Sequence, residues 1–342
     1  MDEYVYMATT LPGLEAVLAD EMKHAVHGAK ICYIKRGKVF AAAVPNEDSL
    51  MRLRTADNVY RMLARFPAGL RRADLQRLER ETASAPGLDL PGGQDLGGSV
   101  RFVVNASRRG DHRYSRFEAA EAAMRGVAKR HPQWRIGTPE RHSHEFRLDL
   151  DGEEATFFLR LTGPEFRFRG SRSFVPGALR PTVAHGLVWL SRPRADDRFV
   201  DVCCGSGTIV SERLAYPCGE LLAGDLSAEA IAAARANLPA GCPAQVRVWD
   251  ATSLPLPSGF VTAVVSNLPF GRQIGSRDGL PSLYAGIVGE IARVLLPGGR
   301  AVLLAEDGAA LREAAERCSL ACGELARLSL KGLQPAVYRL SK

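Results

Sequence analysis

The sequence predicts an α/β protein whose second half is a doubly wound, mostly parallel sheet and whose first half is two α+β modules. Three observations predict it. Residues 199–208, Phe-Val-Asp-Val-Cys-Cys-Gly-Ser-Gly-Thr, run from an apolar strand ending in Asp201, through a glycine turn, into a helix start. Two later apolar strings also end in acids, Asp225 and Asp250, with helical stretches between them. Residues 3–66 follow the order βαββαβ, a ferredoxin-like split unit.

The elements follow in order. Residues 3–8 read as a strand and Leu11-Pro12-Gly13 as a turn. Leu14, Val17, Leu18, Met22 and Val26 recur at helical spacing. Two β-rich runs in 30–44 hinge at Arg36-Gly37. Asn46 can cap a helix carrying Leu50, Leu53 and Ala56, and Val59–Phe66 is a final strand. A second module starts near Ala73 with a helix bearing Leu75 and Leu78, followed by a Gly- and Pro-rich loop over 84–98. Val100–Ala106 is a strand, Ser107–Arg113 a polar basic turn, 115–131 a helix, and Glu145–Leu161 two strands meeting at Asp151-Gly152. Residues 162–176 form an arginine-rich linker. Within it Arg167, Phe168 and Arg169 alternate, a pattern that suits phosphate pairing and base stacking. Phe166 and Phe168 fit better as core residues of a last strand, with the arginines outside.

The second half opens on Leu179-Arg180-Pro181-Thr182 and a helix through Leu190. Strands at 221–225, 246–250, 260–265 and 301–304 follow, separated by helices to Asn237 and over 283–295. Strings 325–330 and 336–340 suit an antiparallel hairpin closing the sheet. These readings give 1–68, 69–163, a linker at 164–177, and 178–342 as units.

Composition bounds the function. The chain has 342 residues, 46% hydrophobic and 24% charged, enough for more than one core. It has no apolar run long enough to cross a membrane, and its start does not resemble a secretory leader, which predicts the cytoplasm. Seven cysteines in no metal-binding spacing suit a reducing compartment and imply no metal. A net charge of +7, concentrated in residues 1–177, suits a polyanionic partner. Arginine far outnumbers lysine throughout, so compositional bias explains the charge equally well.

The site is expected at the carboxyl ends of the strands. Gly205 and Gly207 leave room for a ligand against the main chain, but no third glycine completes the dinucleotide fingerprint. Asp225, at the usual interval after the turn, is placed to accept two ribose hydroxyls, and Asp250 to lie near an adenine amine. Singly, such acids more often cap helices. Asn267-Leu268-Pro269-Phe270 ends the fourth strand. A planar exocyclic amine is a poor nucleophile; the Asn267 amide oxygen and the Leu268 carbonyl can draw it toward tetrahedral geometry. Pro269 stiffens the turn without a competing N–H, and Phe270 can stack on an extruded base.

Residues 201–208 resemble the D-P-x-C-G-S-G-T motif of S-adenosylmethionine-dependent methyltransferases, with Val202 where proline is usual, and 267–270 resemble the N/D-P-P-Y/F motif of amino-methyltransferases. Together with Leu179–Thr182 and the N-terminal layout, the chain is similar to THUMP-containing tRNA guanine-N2-methyltransferases. The resemblance implies a Rossmann-like methyltransferase domain behind a ferredoxin-like segment and a THUMP RNA-binding domain. It implies methyl transfer from S-adenosylmethionine to the N2 amine of a tRNA guanosine, at position 6 of the acceptor stem. The cofactor would be held by Asp201, Cys203, Gly205, Ser206, Gly207, Thr208, Asp225, Leu226, Asp250, Ala251 and Asn267, with Asn267, Leu268, Pro269 and Phe270 as the catalytic group. Arg108, Arg109, Arg113, Arg167, Arg169 and Arg172 are RNA-binding candidates, and the acceptor stem and 3′ end of tRNA the expected partner of a monomer. Other readings are N2-guanine methylation elsewhere in tRNA or in ribosomal RNA, and a non-catalytic RNA-binding protein with a cofactor pocket. Protein-glutamine or DNA-adenine methylation would use similar chemistry without needing an RNA module.

Overall fold

A computed structural model describes residues 3–44, 47–89, 100–170, 173, 175–271, 279–330 and 332–342. The first half contains β1 (Tyr4–Thr9), α1 (Glu15–Ala25), β2 (Lys30–Lys35), β3 (Lys38–Ala43), the single turn α2 (Glu47–Leu50) and β4 (Asn58–Pro67). It continues with α3 (Leu75–Ala83), β5 (Arg101–Arg109), α4 (Arg116–Arg130), β6 (Arg135–Ile136), β7 (His144–Asp151) and β8 (Glu154–Arg160). All eight strands join one sheet in the order β2-β3-β1-β4-β8-β7-β5-β6. The seam is β4 against β8, antiparallel from Tyr60 opposite Arg160 to Pro67 opposite Glu154. The two modules therefore share a backbone ladder, with one core on Tyr6, Leu18, Met22 and Val59 and another on Phe102, Trp134, Phe146 and Phe157.

Several elements depart from the sequence expectation. Leu53 and Ala56 are buried but lie beyond α2, not in a helix. The buried Glu21 carboxylate captures the Arg54 N–H at 2.6 Å and the Thr55 N–H at 2.9 Å, so the chain leaves the helical path there. Asn46, the expected cap, lies outside the described residues, as does most of the 84–98 loop. Strand β5 runs on through Arg108 and Arg109, paired with Leu150 and Asp151, so the expected turn starts only at Gly110. No strand forms at 164–169: the Phe168 and Arg169 N–H groups both turn back onto the Glu165 carbonyl. Helix α4 begins as its sequence dictates, Ser115 and Glu118 exchanging side chain-to-backbone bonds.

The second half contains α5 (Pro181–Leu190), β9 (Arg198–Asp201), α6 (Thr208–Arg213), β10 (Glu220–Asp225), α7 (Ala228–Asn237), β11 (Gln245–Val248) and β12 (Val261–Asn267). It ends with α8 (Leu280–Val294), β13 (Leu295–Ala305), α9 (Gly308–Arg317), β14 (Ala321–Arg327) and β15 (Ala336–Ser341). The sheet order is β11-β10-β9-β12-β13-β15-β14, parallel through β13, with β15 antiparallel to both its neighbours. This is the doubly wound sheet with the expected C-terminal hairpin; the order reverses beside β9, where a ligand crevice belongs. Among the described residues no helix is long and apolar enough to cross a membrane.

The two halves are bound together. Leu11, Leu14 and Val17 enter the same apolar cluster as Leu179, Val183, Leu187 and Leu328. Behind it, fully buried His185 sits between the Thr55 hydroxyl at 2.9 Å and the Tyr216 hydroxyl at 2.8 Å, one on each half. Burial holds this imidazole well below its usual pKa and therefore neutral, which gives it one donor and one acceptor for two hydroxyls. The Asp57 carboxylate accepts from Thr182 Oγ1 at 2.8 Å and pairs with Arg180 at 3.3 Å. Leu179-Arg180-Pro181-Thr182 thus reaches the N-terminal module through its polar side chains.

Candidate functional site

The glycine turn is shaped by its neighbours. Gly205 and Gly207 both take left-handed backbone angles, φ 51° and 77°. A Cβ on Gly207 would stand 3.1 Å from the Ala234 Cβ of α7, so the turn lies directly on that helix. The Gly205 N–H donates to Asp225 Oδ2 at 2.9 Å, and Ser227 N–H donates to Asp225 Oδ1 at 3.0 Å. Asp225 therefore fixes the turn first, leaving its remaining lone pairs for a ligand. Leu226 beside it is largely exposed. Thr208, at the start of α6, is buried.

Asp201 ends β9 completely buried. Its Oδ1 accepts from Ser266 Oγ at 2.7 Å and from the Cys203 N–H at 3.3 Å, while Oδ2 has no partner. Burial, with a smaller push from the Asp225 charge, raises this carboxyl to about 7. The Cys203 and Cys204 thiols are driven upward by burial as well, so neither is a nucleophile. Asp250 lies exposed just past β11, its Oδ1 accepting from the Thr252 N–H at 2.8 Å and the Thr252 hydroxyl at 2.7 Å, bonds that hold its pKa down. Ala251 packs, partly buried, against the core beneath.

Asn267 is the last residue of β12, which lies beside β9. Its Nδ2 donates to the Gly177 carbonyl at 3.4 Å, and its Oδ1 is buried with no partner. Leu268 is buried, its N–H held by the Leu304 carbonyl at 3.0 Å. The Pro269 carbonyl accepts the hydroxyl of buried Tyr284 at 2.9 Å, which pins the turn; burial raises the pKa of that phenol, so it stays a donor. Phe270 is half-buried against the cluster containing Leu11 and Leu14.

Asp201 Oδ2, Ser206 Oγ and Asn267 Oδ1 are thus buried oxygens without partners, all on the carboxyl-end loops or strand ends of β9 and β12. A buried acceptor left unpaired is costly, and the remedy here is a ligand rich in donors. Ser266 and Tyr284 are site residues that the sequence reading missed. The hydroxyl immediately before Asn267, on a strand expected next to β9, was the available signal for Ser266.

The arginine candidates divide. Arg109 and Arg113 are exposed near the β5 end. Arg108 is exposed as well, and Arg169 is half-buried; both also bond to main-chain carbonyls. The Arg108 guanidinium donates to the His112 carbonyl at 2.9 Å and to the Tyr114 carbonyl. That of Arg169 donates to the Arg54 carbonyl at 2.7 Å and to the Phe166 carbonyl, lying over the Phe166 ring. Arg167 lies over the Phe168 ring, with its centre 4.6 Å from the ring centroid. Arg172 lies outside the described residues.

Residues 169–215 and 211–336 match the model of the RMKL-like methyltransferase domain. The tRNA (guanine(6)-N(2))-methyltransferase THUMP3 of Bos taurus is 30% identical over 266 residues, 71% of this chain and 51% of that protein. The chain thus spans about half the length of that relative. The tRNA (guanine(6)-N2)-methyltransferase of Thermus thermophilus is 29% identical over 316 residues, 90% of each protein. The crystal structure of TrmN from Thermus thermophilus superimposes with a TM-score of 0.83 at 27% identity, covering 99% of both chains.

Proposed function

We propose that this chain, which belongs to the family of tRNA guanine-N2-methyltransferases with an RMKL-like methyltransferase domain, transfers a methyl group from S-adenosylmethionine to the exocyclic N2 amine of a tRNA guanosine. Guanine 6 of tRNA is the target named for the bovine and Thermus relatives, and we carry it over to this chain as position 6 of the acceptor stem. The observation that carries the reading is Asn267, whose buried amide oxygen has no protein partner at the end of β12, beside the glycine turn. An exocyclic amine is the donor that such an acceptor lacks.

S-adenosylmethionine fits the donor-hungry crevice: it carries an ammonium, two ribose hydroxyls and an adenine amine. Asp201, Cys203, Gly205, Ser206, Gly207 and Thr208 would hold its amino-acid end, with Asp225, Leu226, Asp250 and Ala251 on the nucleoside. When bound, it supplies a methyl on a positively charged sulfur as the electrophile. Asn267 and the Leu268 carbonyl then orient the guanine amine, an effect of geometry before electrostatics. Tyr284 keeps the Pro269 carbonyl fixed, so the turn does not follow the amine as it moves. Phe270 holds the base by stacking. Once methylated, the amine is acidic enough to release its proton to water, and no general base is required.

Residues 69–163 are then read as a THUMP domain gripping the 3′ end of the tRNA, 1–68 as the ferredoxin-like module, 164–177 as the linker and 178–342 as the methyltransferase domain. The shared ladder of β4 and β8 and the buried His185 contacts support a fixed distance between grip and active site. We read the enzyme as a cytoplasmic monomer, a location that suits a tRNA substrate. Purified protein with methyl-labelled S-adenosylmethionine is expected to label bulk tRNA and leave duplex DNA unlabelled. Label in DNA with none in RNA would refute the reading.

A further inference from the structure

Asn237, the last residue of α7, spends its whole amide outside the helix. Its Oδ1 accepts from the Ser173 N–H at 2.9 Å, and its Nδ2 donates to the Ser173 carbonyl at 2.7 Å and the Ser206 carbonyl at 3.0 Å. One side chain thus pairs twice with the linker backbone and once with the middle residue of the glycine turn. Further contacts run the same way. Val175 Cγ2 lies 3.6 Å from where a Cβ on Gly205 would stand, and the Gly177 carbonyl receives Asn267 Nδ2 at 3.4 Å. Ser173, Val175 and Gly177 therefore touch, in chain order, Asn237, the glycine turn and Asn267.

We propose that Asn237 is a positioning residue for the cofactor site, tying the segment that arrives from the first half of the chain to the glycine turn. The proposal rests on the S-adenosylmethionine reading above. A turn with glycine on both sides of Ser206 has many accessible backbone states, and a ligand that needs one of them must bear the ordering cost. The bond to the Ser206 carbonyl fixes the peptide between Ser206 and Gly207 before any ligand arrives. The two bonds to Ser173 place Val175 against Gly205 and Gly177 against Asn267. The same amide thereby sets the cofactor turn and the partner of the Asn267 amide. Only a side chain with one acceptor and two donors at this length meets all three backbone groups. An Asp here would set a carboxylate against two carbonyl oxygens.

The test is calorimetry of S-adenosylhomocysteine with wild type, Asn237→Ala and Asn237→Asp, with thermal melts and steady-state kinetics on the same full-length proteins. Asn237→Ala is expected to weaken binding about tenfold, the loss from removing one to two net hydrogen bonds. Asn237→Asp should weaken it at least as much. The KM for S-adenosylmethionine should rise in step, with the KM for tRNA and the melting temperature close to wild type. Wild type failing to bind S-adenosylhomocysteine would sink the cofactor reading itself. With wild type binding, an unchanged affinity in both variants overturns the role of Asn237 alone. A parallel fall in melting temperature and tRNA affinity also overturns it, because Asn237 would then serve the fold at large.

Discussion

Asn267→Ala is expected to lose about 10²-fold or more in turnover while tRNA affinity stays near wild type. The loss follows from what the amide does. Its Oδ1 is a buried acceptor without a protein partner, at the end of a strand whose next peptide is pinned by the Leu304 carbonyl. In the proposed role, its removal would leave the guanine amine free to lie flat in conjugation with its ring, unreactive and unaligned. The affinity is spared because the proposed RNA-gripping residues lie elsewhere, in the first half. Phe270→Tyr should keep activity, since the stacking face survives, whereas Phe270→Ala should not. Single-turnover assays check this; an Asn267→Ala enzyme close to wild type in rate would remove the residue from the chemical step.

The second large effect is on stability. Asp201 is buried with its carboxyl raised to about 7, whereas an aspartate in an unfolded chain titrates near 4. Between those values the folded protein holds a proton that the unfolded chain has released. The stability from this group is therefore complete below about pH 4, declines as pH rises toward 7, and is flat above. Asp201→Asn keeps an acceptor oxygen for Ser266 and Cys203 and removes the titration. At pH 8 it should be more stable than wild type, on the order of a few kcal/mol, with the two proteins converging near pH 4. Glu21, raised by burial, and His185, lowered by it, also tilt the profile, in opposite senses, but they are common to both proteins. Their difference isolates Asp201. The same substitution should weaken S-adenosylhomocysteine binding, because an amide is a poorer partner for an ammonium. Thermal melts across pH decide it: equal slopes for the two proteins would contradict the buried titration. A gain in stability matched by a loss in binding is the behaviour of a strained functional site.

Much of this was legible because it is local. The apolar strings ending in Asp201 and Asp225, the glycine turn and Asn267-Leu268-Pro269-Phe270 each carry their structure in a few adjacent residues, and strand–helix alternation orders them. What escaped depends on distant partners. The Leu50–Leu53–Ala56 spacing is helical, yet Glu21, from another element, takes the Arg54 and Thr55 N–H groups and ends α2 after one turn. The alternation at 166–169 reads as a strand or an RNA contact, but the Arg54 and Phe166 carbonyls claim Arg169. Nothing adjacent to β4 announces that it will pair with β8, and β6, only two residues long, has no periodicity to read. Asn237 looked like an ordinary helix end, because its three partners lie 31 and 64 residues away.

The central claim is the identity of the methylated atom. Purified enzyme, S-adenosylmethionine and an unmodified tRNA transcript should yield, after digestion to nucleosides and mass spectrometry, N2-methylguanosine as the new product. Fragment mapping should place it at position 6. The Asn267→Ala protein, run in parallel, should leave the transcript unmethylated over the same interval. Methyl groups appearing on adenosine, on a ring nitrogen of guanine or on the enzyme itself would contradict the account.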